Sequence, residues 1–199
     1  MNLKRSLTLI LVIISSFTCI AQDYKASIKQ RFTEYTNYIV HHEFDKSLDY
    51  VPEAIFTIVP RAQMAAAFEQ LLNNKAMEVR ITGFEINDIG NSRKIDSSYY
   101  SLIKYTSMMS MKIISNKQES IIEKGKRLSM AKAAFSNTFG SDNVKLDEAT
   151  ETFTLSPKKQ SWAISKNGQD EWKFVNIEPT QRLIMEKLLP KVLIEESIH

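Results

Sequence analysis

The chain has 199 residues, 26 Lys and Arg against 23 Asp and Glu, and a single cysteine. That length fits one domain, which buries roughly 70% of the surface its unfolded chain exposes and so needs no disulfide support. No basic run is interleaved with aromatics, which leaves no nucleic-acid footprint, and one cysteine removes sulfur-ligated metal sites from consideration.

The first predicted element is an export signal over 1–21. Lys4 and Arg5 precede an apolar run from Leu7 to Ile14, and small residues, Cys19 and Ala21, stand at −3 and −1 of a cleavage point after Ala21. The apolar run is shorter than the roughly 20 residues that span a bilayer. An uncleaved anchor and a lipoprotein signal acylated at Cys19 are the rivals. Ser16 and Thr18 stand where a lipoprotein signal usually has Leu, and Gly or Ala. After cleavage no cysteine remains, and 24 basic residues face 23 acidic ones, because Lys4 and Arg5 leave with the signal. The expected product is one exported domain, 22–199, periplasmic or secreted, with no stable membrane span.

A helix is predicted over 24–43, with Ile28, Phe32, Tyr35, Ile39 and His42 on one stripe. Pro52 and Pro60 bracket a segment that reads as a short buried strand or a tight helical turn. A second helix follows over 61–73, with Met64, Phe68 and Leu71 as its apolar stripe. From Met77 the period becomes two, and the apolar parity slips by one at Gly83, as a β-bulge would make it. Asp88 to Ser92 reads as a turn. Residues 95–114 read as one long curved strand with Ile103, Tyr105, Met109, Met111 and Ile113 on one face. A helix over 119–139 stops at Gly140. It carries Ile121, Leu128, Ala131 and Phe135 on one side, and the Lys124-Gly125-Lys126-Arg127 cluster reads as its solvated face. Three short strands follow at 144–155 (with a turn near Asp147), 160–165 and 172–177. Asn167-Gly168 suits a hairpin turn between the last two. A final helix over 180–189 breaks at Pro190, and Val192, Leu193 and Ile194 pack back on the body.

This is an α+β order, not an alternating βαβ one. The long first helix ending at His41-His42-Glu43-Phe44, the Tyr50-Val51-Pro52 to Val59-Pro60 segment, the 61–73 helix, the curved strands and Trp172-Lys173-Phe174-Val175 resemble the NTF2-like superfamily. Leu48 to Phe56 with Val59 to Met64 looks like uncharacterised exported proteins of the Bacteroidetes. The resemblance covers roughly 24–177, and the helix at 119–139 departs from the plain pattern as an insertion between strands. It implies a cone in which a curved antiparallel sheet packs against N-terminal helices around a pocket. It implies no single activity, because that fold hosts isomerases, dehydratases and binding modules.

Three constellations carry chemistry. His42 continues the first helix stripe, toward the interior or the cavity mouth, while His41 points away; imidazole suits acid–base work. Asp49 and Tyr50 are an acid and a phenol that in NTF2-like enzymes share proton transfer; Asp49 also reads as a turn residue. Glu43 and Asp45 offer oxygen ligands, but no spacing fixes a metal site, and no cofactor is expected. Tyr99, Tyr100, Tyr105, Met108, Met109 and Met111 make an aromatic, methionine-rich strand that reads either as sheet core or as a malleable ligand lining. Phe32, Tyr35, Tyr105, Met109 and Met111 are the ligand-binding candidates. Trp162 and Trp172 read as core. No HExxH, GxSxG or phosphate-cradling glycine loop occurs. The expectation is therefore an exported non-catalytic domain that binds a small apolar ligand or a protein partner. The alternatives are an isomerase or lyase using His42 with Asp49 or Tyr50, and a module that homodimerises through the outer sheet face.

Overall fold

In a computed structural model describing residues 24–115 and 118–198, the chain is a mixed fold built on one curved antiparallel sheet that does not close into a barrel. The signal-peptide reading and Cys19 lie outside the described residues. Among those described, no helix is long and apolar enough to cross a membrane.

The first helix, α1, covers 24–40 and buries Ile28, Phe32, Tyr35 and Ile39 along one stripe. It ends three residues sooner than its periodicity suggests. The Glu43 N–H bonds the Tyr38 carbonyl at 2.8 Å and the His42 N–H bonds the Ile39 carbonyl at 3.1 Å, while His42 adopts φ 61°. That pairing is a left-handed helix stop, in a position that glycine more often fills. A short helix α2 (Phe44–Ser47) and two 3-10 turns, Leu48–Tyr50 and Glu53–Thr57, follow. The segment between Pro52 and Pro60 is thus helical turn, not strand. Helix α3 (Arg61–Leu72) packs Met64, Ala65, Phe68 and Leu72 against the core. Leu71, predicted on its stripe, is instead 43% exposed.

Strand β1 (Met77–Ile89) pairs antiparallel with β3 (Ser98–Ile113). Its register shifts between Ile81 and Gly83, where the sequence parity slips, and again between Ile86 and Asp88. The predicted single strand over 95–114 is a hairpin. A short strand β2 (Arg93–Ile95) turns through Asp96, at φ 51°, into β3. Asp and Ser are turn formers, and the alternation across Ile95 hid them.

Helix α4 (Ile121–Phe139) starts with a capping box: the Ser120 hydroxyl accepts the Glu123 N–H, and Glu123 accepts the Ser120 N–H. Leu128 and Ala131 are buried, but Ile121, in the first turn, is 90% exposed. The Lys124–Arg127 cluster is only partly the solvated face expected. Arg127 is largely covered and bonds Glu119, Glu151 and the Ile113 carbonyl.

Strands β4 (Val144–Asp147), β5 (Thr152–Leu155), β6 (Lys158–Ser165) and β7 (Lys173–Asn176) complete the sheet. Strands β5 and β6 both pair with the same side of β3, in register with one another across Ser156-Pro157. They are one long strand bent at a proline. Its far edge is shared, β4 lying beside β5 and β7 beside β6. Helices α5 (Arg182–Leu188) and α6 (Lys191–Ile198) close the chain.

Three apolar clusters hold these elements. On the inner face Phe32, Tyr35, Ile103, Tyr105 and Phe174 join α1 to the sheet. Farther along, Val79, Met111 and Phe153 meet Leu128 and Ala131 of α4. On the outer face Tyr100, Trp162, Val175 and Ile177 lie under Met185, Leu193 and Ile194 of the last two helices. Of the three residues expected to pack back, Val192 stays 45% exposed.

Candidate functional site

The ligand-binding candidates divide between two inner clusters. Phe32 lies edge-on to Phe174 with ring centroids 5.0 Å apart, and its centroid is 5.1 Å from that of Tyr105. Tyr35 stacks on Phe174 at 5.5 Å. Burial pushes both the Tyr35 and the Tyr105 hydroxyls up from the ordinary phenol range; for Tyr105 the nearby Tyr35 and Glu178 add to it. The two hydroxyls converge on Asn176, which donates to Tyr35 at 3.4 Å and accepts from Tyr105 at 3.5 Å. Met111 and Met109 belong to the separate cluster under α4. Phe32, Tyr35 and Tyr105 thus pack within one cluster and Met109 and Met111 within the other, and the five do not form one lining.

The weak catalytic candidates also part company. His42 was expected to face the interior or the cavity mouth. It is exposed, because the left-handed stop turns it off the helix stripe, and its ring stacks on Phe44 with centroids 6.0 Å apart. The His41 Nδ1 lies 2.8 Å from the Asn37 carbonyl. Asp49 is exposed and pairs with Arg61 at 2.9 Å. Tyr50 is buried, and its hydroxyl donates to Glu34 at 3.0 Å. Arg61 also bonds the Asp45 carbonyl, and Lys173 bonds that of Asp49. Leu48, Phe56, Arg61 and Lys173 line a hollow of about 550 Å³ there, in which both cations are already engaged. No hydrogen bond joins His42, Asp49 and Tyr50 to one another.

The larger concavity was not anticipated. A groove of about 1010 Å³ opens where the outer strand position passes from β4 to β7. Its polar lining includes Asn87, Lys104, Lys158, Lys159, Gln160 and Glu178, and its apolar contacts include Tyr105, Phe139 and Pro157. The strand register builds it. Ile177 bonds the Gln160 carbonyl, so the next pairing position on that side, opposite Lys158, falls to Pro179. Proline has no N–H to offer, and the chain leaves the sheet there in a 3-10 turn. On the other flank Ser156 bonds the Asn143 carbonyl, just outside β4. The edge is therefore open at Lys158.

Side chains on this groove have defined roles. Lys159 projects inward and pairs with Glu178, Nζ to Oε1, at 2.8 Å. The Thr106 hydroxyl bonds Asn87 at 3.0 Å on the outer face, beside Lys158 in the register. Lys104 and Lys158 are exposed and join no ion pair among the described residues. In the sequence Ser156-Pro157-Lys158-Lys159 reads only as a connection, and nothing in it announces a groove until the pairing on both sides is known. Among the described residues no group of three His, Cys, Asp or Glu side chains is placed to hold a metal ion. Neither a protein-family model, nor a curated protein, nor a solved structure matches the chain.

Proposed function

We propose that the chain is an exported, NTF2-like, non-catalytic binding domain. On this reading its interior is a structural core, and it takes its ligand or partner in the groove at the bend of β5–β6. The observation that carries it is the contrast between an aromatic-filled interior and an open groove of about 1010 Å³ lined by amides, lysines and ring edges. Ligand sites are concave, with a few converging polar groups. The NTF2-like assignment draws on the bent antiparallel sheet wrapped over α1. Homodimerisation through the outer sheet face draws no such support, because α5 and α6 cover that face at one end and Arg80, Lys112 and Thr152 make it polar at the other.

Amide NMR tests the binding reading. Soluble polar extract of the source cell envelope is expected to shift Lys104, Lys158, Gln160 and Glu178. Shifts confined to Phe32, Tyr35 and Phe174, or a stoichiometric lipid copurifying with the protein, would restore the interior-cavity reading. Export is tested by N-terminal sequencing, with Gln22 as the expected first residue.

A further inference from the structure

Resting on the groove reading, we infer that the ligand carries an oxyanion, held by the ammonium groups of Lys104 and Lys158. The register sets the two lysines on one face. Lys104 stands opposite Gln160, and Lys158 stands opposite Thr106. They are diagonal cross-strand neighbours, a relation that spans about 7–8 Å between Cα atoms. Like charges so placed repel one another unless a counter-charge sits between them, and an oxyanion in the groove supplies one.

Local acids do not remove that need. Glu178, the carboxylate on the groove, is held by Lys159 on the inner side. Asp88 lies opposite Lys104 on β1, and Glu85 lies opposite Thr106. Neither lines the groove, and neither forms an ion pair with either lysine. Asp88 tempers Lys104, which makes Lys158 the stronger anchor. Lys158 brings a second donor as well. Ser107 bonds the Pro157 carbonyl across the β3 side, so the alternation of an antiparallel ladder turns the Lys158 N–H away from β3, toward the groove. A backbone N–H beside two ammonium groups is a charge-assisted donor set for carboxylate or phosphate oxygens. Asn87 and Gln160 then face the uncharged remainder of the ligand.

Inorganic phosphate, glucuronate and glucose are the probes, titrated into the protein and followed by amide NMR. Phosphate or glucuronate is expected to shift Lys104, Lys158 and Gln160, and whichever binds more tightly identifies the source of the oxyanion. The double variant Lys104→Gln, Lys158→Gln is expected to bind at least about tenfold more weakly, while Lys132→Gln on α4 changes nothing. A second readout needs no affinity. At matched ionic strength, phosphate is expected to raise Tm above its value in chloride by more in the wild type than in the double variant, because surface exclusion of phosphate stabilises both alike. If glucose shifts the groove as strongly as glucuronate, and the double variant keeps it, the groove reading survives and the oxyanion inference falls. Anions that leave the groove resonances unmoved and raise Tm equally in the two proteins overturn the inference. Envelope extract that also leaves the groove silent overturns the groove reading itself.

Discussion

The Tyr50 hydroxyl donates to a Glu34 carboxylate oxygen at 3.0 Å, tying the first 3-10 turn back to α1. Glu34 also accepts from Gln30 at 3.0 Å, and the Arg31 guanidinium lies over the Tyr50 ring at 4.5 Å. The Gln30 bond is the main reason the Glu34 carboxyl lies below its ordinary value of 4.5; Tyr50 and Arg31 add to it against desolvation. Burial first, then the Glu34 bond, pushes Tyr50 up to about 12. The two signs differ. Glu34, lowered in the fold, contributes stability that is present above pH 4.5 and lost as pH falls through its folded value. Tyr50, raised, contributes stability that is present below pH 10 and lost as pH rises toward about 12. Tyr50→Phe is expected to cost about 1 kcal/mol at neutral pH and to flatten both limbs. Urea midpoints measured from pH 3 to 12 check this; unchanged limbs would show that the bond contributes nothing.

Phe32 is 1% exposed and is the ring on which α1, β3 and β7 meet. Phe32→Ala is expected to cost about 3–5 kcal/mol, and Ile39→Val about 0.5–1.5 kcal/mol. Chemical denaturation measures both. A Phe32→Ala cost under about 1 kcal/mol would mean that α1 does not seal the inner face.

The elements that sequence periodicity exposed are those whose pattern is local. The α1 stripe, the bulge at Gly83 and the stop at Gly140 each rest on a few neighbouring residues. His42 shows where this ends. Its spacing continued the stripe, but the helix had already stopped in a left-handed turn that nothing in the spacing announces. Ile121 failed for a related reason, since a first-turn residue hangs beyond the surface the rest of α4 covers. The groove was illegible on other grounds. It exists only because Pro179 falls opposite Lys158 and the lysines of two strands share a face, and those facts belong to strand register. Register between distant segments is set by the whole sheet, not by either sequence alone.

Helix α4 is fastened by a charge network rather than by its apolar face alone. Arg127 bonds both Glu119 oxygens at 3.0 Å and Glu151 at 2.7 Å, and Lys124 reaches the other Glu151 oxygen at 2.7 Å. The Lys124 bond, then Arg127, holds the Glu151 carboxyl down at about 2. A lowered carboxyl contributes stability above its unfolded value of 4.5, which is lost as pH falls toward about 2. Arg127→Met is expected to shrink that acid limb and to make Tm less sensitive to salt. Thermal melts at low and high salt between pH 2 and pH 6 test it. An acid limb identical to the wild type would assign the acid sensitivity to other carboxylates.

Two glycines should answer the same substitution in opposite directions. Gly125 sits inside α4 with nothing within 4 Å of an added Cβ. Gly125→Ala removes backbone freedom from the unfolded chain and fills no occupied space, so a gain of about 0.5–1 kcal/mol is expected. Gly168, between β6 and β7, has φ +73°, and an added Cβ would stand 2.7 Å from the Tyr99 ring. Its loop is already fixed: the Ser165 hydroxyl accepts the Gly168 N–H at 3.0 Å, and Asn167 accepts the Gln169 and Asp170 N–H groups. The loop backbone cannot shift away from the ring without breaking those bonds. Gly168→Ala is therefore expected to cost about 1–3 kcal/mol, from the left-handed backbone and the overpacked ring together. Differential scanning calorimetry of the pair reads both signs in one buffer. A neutral Gly168→Ala would show that Tyr99 does not pack against this loop, and with it the placement of the β6–β7 connection would fail.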